Sequence, residues 1–259
     1  MSVSARYQGP RALGMASRLR GVARRALRLS ETDPVRTLGL QWYTLAASWL
    51  RTLAEERSLS FSAVAGACAA LSPQVSWLDQ TRFLGPFLDS VLRGETHLPH
   101  PGFLRNRERA ARIILGADPV KVLGGPKVTA FYACLCGDVD RVCVDRHAAT
   151  VALGRRQEDL SPMLVAEIQR AYRYAARSLG LAPRDLQSLL WCHYKASGKA
   201  EEHEAPTLFD GPSCGPSITD LALGWSNDVA RAFDAPAEYA PDVRAPTIEP
   251  SVSADPLPF

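Results

Sequence analysis

Lys127 and Asp145 are the two residues of this chain whose types and spacing best suit chemistry on a charged substrate. Lys127 follows a Gly124-Gly125-Pro126 break, and the apolar residues on both sides of the break predict a helix, a hairpin and a second helix. Glycines let a partner approach the backbone, and the unpaired amides at a helix start attract phosphate. The sequence therefore predicts a hairpin that grips a DNA backbone, with an aspartate offered to the same place.

The stretch from 123 to 151 resembles the signature of the helix-hairpin-helix DNA glycosylase superfamily. In that family a hairpin of the form L-x-G-x-G-x-K precedes a V-D-x-H segment whose aspartate is catalytic, and residues 144–147, VDRH, match this segment. The hairpin here is one residue shorter, so either Lys127 or Val128 corresponds to the family's lysine, and Thr150 stands where the family has an arginine. The resemblance implies that the catalytic residues are Asp145 and Lys127 and that DNA is contacted by Gly124, Gly125, Pro126, Arg146 and His147.

The chemistry that this resemblance implies is removal of a base from DNA. A base inside a duplex must be extruded before an enzyme can reach it, and breaking its bond to the sugar develops positive charge on the sugar. Asp145 would stabilise that charge and orient or deprotonate the attacking water. Lys127 would either form a Schiff base and cut the strand or contact a phosphate or base; removal without strand scission is the preferred alternative. Taken alone, Asp145 is better explained as a helix cap.

A second segment with the same resemblance is Leu71 to Trp77, LSPQVSW. Superfamily members carry L-S-x-Q-x-S or a close variant between two helices, which implies that Ser72 and Gln74 contact DNA and that Gln74 fills the gap left by the extruded base. Without the resemblance, the segment reads as a proline-bearing turn between helices with Trp77 packed inward. Trp77, Trp191 and Tyr194 are candidates for a base pocket, although aromatic residues at helical spacing are more often part of a core.

The amino-acid sequence of residues 35 to 195 also resembles the sequences of the alpha-glutamyl/putrescinyl thymine pyrophosphorylase branch. Proteins of this branch occur with phages that carry hypermodified bases. Three functions follow as expectations. The first is a glycosylase that excises a modified base, including a hypermodified phage base, as in antiviral defence or DNA repair. The second is a transferase that adds an amine or amino acid to an activated hydroxymethyl pyrimidine. The third is a DNA-binding module without catalysis. Asp145 favours the glycosylase, because a transferase acting on the base has less need of a carboxylate beneath the sugar.

Charge and composition divide the 259 residues into three regions. The net charge is only +3, but three basic and eleven acidic residues follow residue 198, so the first 198 residues carry +11. We expect a basic, solvated or DNA-facing arm over 1–29, an all-α helix-hairpin-helix glycosylase-like domain over 30–198, and a flexible, acidic, proline-rich tail over 199–259. The expected partner is double-stranded DNA that contains a modified base, and the expected state is a cytoplasmic monomer, encoded by a bacterium or by a phage.

Cysteine and histidine spacing predicts neither a metal site nor a cofactor. The six cysteines form no CxxC pairs, and His97 and His100 have no nearby cysteine or carboxylate cluster to complete a site. Some members of the superfamily hold an iron–sulfur cluster on four closely spaced cysteines near the C-terminus. Only Cys192 and Cys214 lie in that region here, so no cluster is expected. No apolar run is long enough to cross a membrane.

Overall fold

Ten α-helices make up the part of the chain that the computed structural model describes, residues 10–157 and 159–197. No strand occurs in these ranges, which confirms the prediction of an all-α domain. The predicted tail over 199–259 and the first nine residues of the predicted arm lie outside the described residues. The helices are α1 (Pro10–Leu27), α2 (Pro34–Glu55), α3 (Phe61–Leu71), α4 (Trp77–Leu92), α5 (Leu104–Ile114), α6 (Pro119–Val122), α7 (Pro126–Leu135), α8 (Arg146–Leu153), α9 (Pro162–Leu179) and α10 (Pro183–Ala196).

Most helix ends are fixed by local capping residues that the sequence makes visible. Asp33, Ser60 and Ser161 accept hydrogen bonds from backbone amides at the starts of α2, α3 and α9. These bonds satisfy amides that a helix start leaves unpaired. Gly180 closes α9 in the left-handed conformation at φ 68°, which glycine adopts without steric cost. Local sequence therefore sets where these helices begin and end.

The basic N-terminal segment is a core helix along α1. Six of its apolar residues are almost completely buried, and α1 packs against α8, α9 and α10. Apolar and small residues recur every three or four positions among its arginines, so that one face is apolar although the segment as a whole is basic. The prediction of a solvated or DNA-facing arm is therefore wrong for residues 10–27. The buried residues are Ala12, Met15, Ala16, Leu19, Ala23 and Ala26.

Two groups of buried side chains form the interior. The first joins α2, α3, α4, α5 and α7, and the second joins α1, α8, α9 and α10. Helices α2 and α10 approach each other closely at Gly39. A Cβ there would lie only 2.8 Å from the Cα of Leu189, and the Ser188 hydroxyl donates to the Gly39 carbonyl at 2.8 Å. The segment before α8 contributes to both groups, with Cys143 in the first and Val142 and Val144 in the second. Asp145 thus follows a segment that joins the two halves of the core.

His100 is a buried histidine that the fold holds in its neutral form. Only 7% of the residue is exposed, and its Nδ1 accepts a hydrogen bond from the Gly102 amide at 3.0 Å. Nδ1 must therefore be unprotonated, which leaves Nε2 to donate to Gln80 Oε1 at 3.4 Å. Burial, with a smaller contribution from the positive charge of Arg107, lowers the pKa of His100 from 6.5 to about 4.

Because the pKa of His100 is lowered in the folded protein, we expect the free energy of unfolding to decrease in mild acid. As the pH falls from 6.5 towards about 4, the unfolded chain binds a proton at His100 and the folded chain does not, so the free energy of unfolding decreases and then levels off. The decrease amounts to about 3 kcal/mol at most. Replacing His100 with asparagine, which keeps an acceptor and does not titrate, should flatten this step in urea unfolding curves. His97→Asn, at an exposed loop position, is the matched control and should leave the step unchanged.

Candidate functional site

Asp145 lies in extended backbone immediately before α8 and caps that helix. One of its carboxylate oxygens, Oδ1, accepts from the Ala148 amide at 2.7 Å. Within residues 10–157 and 159–197, Oδ2 accepts no hydrogen bond and the side chain forms no ion pair. The residue is half-buried. The capping role considered for Asp145 is thus real, and the same carboxylate keeps one oxygen available for another contact.

A hydrogen bond from Cys143 connects the segment that carries Asp145 to the start of α7. The Cys143 thiol donates to the Lys127 carbonyl at 3.6 Å, which brings together two residues sixteen positions apart. Both charged candidates influence this thiol: burial raises its pKa well above the ordinary value, the negative charge of Asp145 adds to the rise, and the positive charge of Lys127 opposes it. The predicted pair, Lys127 and Asp145, therefore lies around one buried cysteine.

The charge of Asp145 also acts on two buried tyrosine hydroxyl groups. Burial is the main cause that raises the pKa of Tyr43 and of Tyr172 well above the ordinary value, and the charge of Asp145 contributes to both shifts. The Tyr172 hydroxyl donates to the Ala148 carbonyl at 3.2 Å, and the Tyr43 hydroxyl donates to Gln187 Oε1 at 2.8 Å. These tyrosines and Cys143 stay protonated at neutral pH. These three buried groups therefore add no charge of their own near Asp145.

The glycine hairpin lies exposed between α6 and α7. Gly125 has φ 81°, a conformation that favours glycine, and no atom lies within 4 Å of the position that a Cβ would take there. At Gly124, the Cβ position has the Arg109 guanidinium of α5 at 3.6 Å. Gly124, Gly125, Pro126 and Lys127 are all exposed. The turn predicted from sequence is therefore open to a partner, and an arginine from another helix lies beside it.

The turn between α3 and α4 presents one glutamine in an uncommon backbone conformation. Gln74 is exposed and has φ 60°, which is uncommon for a residue other than glycine. Ser72 ends α3, where its hydroxyl donates to the Ala69 carbonyl at 2.9 Å. Ser76 begins α4 and accepts from the Asp79 amide at 3.0 Å. Two anchored serines thus hold Gln74 at the tip of the turn.

An aromatic cluster centred on Trp42 connects this turn to the interior. The ring centroid of Trp42 lies 4.7 Å from that of Trp77, 6.3 Å from that of Trp191 and 4.8 Å from that of Tyr43. Of the three base-pocket candidates, Trp77 and Trp191 therefore belong to one cluster. The third candidate, Tyr194, is 9% exposed and packs against the ring of His147 at 5.8 Å, in the other core group. Tyr194 of α10 thus lies next to His147 of α8. The first residue of α8, Arg146, is exposed.

Comparison of the sequence with known protein families identifies the family of this chain. The model of DUF7178, a family of unknown function, matches residues 20–198. The chain belongs to this family. The matched range contains α2 to α10 complete and all the candidate site residues, from Ser72 to Tyr194. No curated protein and no solved structure matches the chain.

Three further residues of the site are not among the candidate site residues taken from the sequence. Cys143 contacts the Lys127 carbonyl and lies two residues before Asp145 in the chain, and Arg109 lies beside Gly124. Tyr43 belongs to the aromatic cluster, and the charge of Asp145 contributes to the raised pKa of its hydroxyl. The apolar alternation around Cys143 and the helical spacing of Tyr43 indicate only that both are buried. Arg109 was one of several arginines on its helix, and only its distance to Gly124 distinguishes it. Each contact joins segments far apart in the chain, for which the sequence carries no local signal.

Proposed function

We propose that this protein is a DNA N-glycosylase that flips a modified base out of a duplex, cleaves its bond to the sugar and leaves an abasic site. The observation that supports this most strongly is the hydrogen bond from Cys143 to the Lys127 carbonyl, because it brings the start of α7 close to Asp145. A carboxylate, a cation and an open glycine turn are the groups that such a reaction needs next to one nucleotide. The helix-hairpin-helix glycosylase-like character of the domain is part of the same proposal.

Asp145 is the proposed catalytic residue. As the glycosidic bond breaks, the bonding electrons leave with the base and positive charge develops on the sugar, which a nearby carboxylate stabilises. A water molecule then forms a bond to the same sugar carbon and gives up a proton, for which the carboxylate oxygen Oδ2 is the acceptor. The cap bond from Ala148 fixes Oδ1 and therefore the orientation of Oδ2. The neutral tyrosines and Cys143 leave the carboxylate charge available for these tasks.

The remaining candidates are proposed to bind the DNA. The exposed turn of Gly124 and Gly125 would approach the phosphate backbone, with Lys127 as a phosphate or base contact rather than a Schiff-base nucleophile. Gln74, held at the tip of its turn, would enter the gap left by the extruded base. The proposed setting is the cytoplasm of a bacterium, with the gene in the host or in a phage, and the protein acting as a monomer. None of the described helices is both long and apolar enough to cross a membrane.

Incubation with defined duplexes tests the proposal. The substrates carry ordinary, hydroxymethylated or glucosylated pyrimidines at one position, and abasic sites are revealed by strand cleavage in hot alkali. Abasic sites on at least one modified duplex, with intact strands before alkali, are the expected result. An increase in base mass when an amine donor and a pyrophosphorylated base are supplied, with no abasic sites, would instead identify a transferase. Binding without either product would identify a DNA-binding module.

A further inference from the structure

One face of α5 carries three exposed arginines. Arg105, Arg109 and Arg112, here called the arginine face, are three and four residues apart and therefore point to the same side of the helix. None of them forms an ion pair within residues 10–157 and 159–197, whereas Arg57, on α2's C-terminal side, is paired with Asp89 at 2.7 Å. The acid Glu108 is exposed on the same helix and leaves the face with a net positive charge.

The other side of α5 shows that the arginine face is fixed in place. Ala110, Ile113 and Ile114 are buried in the first core group, so the helix cannot rotate to bury its arginines. Arg107, which lies off this face, is turned inward and donates to the Leu98 carbonyl at 3.0 Å. Arg105 rests above the Phe103 ring at 5.8 Å from its centroid. Three guanidinium groups are thus held outward on a rigid support.

The arginine face continues to the glycine turn. The Arg109 guanidinium lies 3.6 Å from the position that a Cβ on Gly124 would take. Because Gly124 has no side chain, a chain of phosphates can pass over the turn and reach this arginine without obstruction. From Arg105 to Arg112 the helix rises about 10 Å, and three steps along one strand of a DNA duplex also rise about 10 Å. The arginine face therefore spans the length of about four successive phosphates of one strand, within which three guanidinium groups can each contact a phosphate.

We propose that the arginine face and Gly124 together bind the sugar–phosphate backbone of one strand of a duplex, independently of base sequence. The inference rests on the proposed function, because it takes DNA as the polyanion. It assigns the contacts to the DNA backbone to α5, a helix that has no role in the proposed catalytic steps. Guanidinium groups suit this role because they bind phosphate oxygens in pairs and stay charged at all relevant pH values. Contacts to phosphate supply affinity and register and carry no base specificity.

Salt-dependent binding tests the proposal. The dissociation constant for a short unmodified duplex is measured by fluorescence anisotropy between about 50 and 200 mM salt. Arg109→Gln should lower the slope of log affinity against log salt by about 1, and replacing all three arginines with glutamine should lower it by about 3 and weaken binding roughly tenfold or more. The control is Arg177→Gln, an exposed arginine on α9, which packs against α1, α8 and α10, and this variant should bind like the unmodified protein. Circular dichroism of each variant checks that the fold is retained.

The possible outcomes separate this inference from the proposed function. An unchanged slope in the triple variant overturns the arginine face, even if abasic sites still form. If Arg177→Gln weakens binding as much as Arg109→Gln does, the inference is also overturned, because the net positive charge of the protein would then explain binding. Conversely, normal salt-dependent binding through the arginine face, together with no abasic site on any duplex, supports this inference and rejects the glycosylase. Binding of the protein to anionic vesicles or heparin through these arginines, but not to duplex DNA, would contradict the assignment to DNA.

Discussion

The Asp145→Asn variant should lose base excision by about 10²- to 10⁴-fold and remain folded. Asparagine is as good a helix cap as aspartate, so the bond from the Ala148 amide and the start of α8 are preserved. What the substitution removes is the negative charge that stabilises the developing positive charge on the sugar and accepts the proton of water. The measurement is the single-turnover rate of abasic-site formation on the modified duplex that the unmodified protein cleaves fastest.

A second capping aspartate provides the matched control. Asp33 begins α2 and accepts from the amides of Val35 at 2.9 Å and Arg36 at 3.2 Å, so Asp33→Asn makes the same chemical change at a helix start. This variant should excise bases at the unmodified rate. If the two variants lose activity equally, or if Asp145→Asn retains full activity, Asp145 is only a helix cap. Duplex binding is measured in parallel, since a defect in binding would point to the DNA contacts instead.

Shortening Leu19 to alanine should destabilise the protein by about 3 kcal/mol, the usual cost of removing a large buried side chain and leaving a cavity. Leu19 is completely buried in the second core group, on a helix that carries many arginines. Urea unfolding followed by circular dichroism measures the effect, which corresponds to a fall of about 1 M or more in the unfolding midpoint. The expected loss is large compared with the stability of an ordinary domain, about 5 to 15 kcal/mol.

Leu13 on the same helix allows a direct comparison, because it is 50% exposed. The variant Leu13→Ala removes the same atoms from an exposed position, and alanine favours a helix slightly more than leucine does, so its free energy of unfolding should change by less than about 0.5 kcal/mol. Equal, small effects of the two variants would mean that residues 10–27 are a solvated arm after all. A loss confined to Leu19→Ala supports α1 as part of the core.

The sequence by itself determined the helices from residue 34 onward and most of their ends. Helical periodicity, capping residues and glycines are local features: Pro34 is the first residue of α2, Ser60 caps α3, and Gly180 ends α9. The glycine hairpin between α6 and α7 was also predicted, because Gly124 and Gly125 are interpretable without knowledge of any other segment. The proximity of Asp145 to that hairpin was only an expectation from spacing.

The tertiary structure alone decided which distant residues meet. Whether α1 is an arm or a core helix depends on an apolar face that another helix must cover, and α9 and α10 supply that cover far along the chain. The contact of Cys143 with Lys127 and that of Arg109 with Gly124 likewise join segments that no local pattern relates. Helix periodicity is set by neighbours three and four residues away, whereas these contacts are set by how whole helices pack. For that physical reason the sequence determined the elements of this protein, and the packing determined what surrounds Asp145.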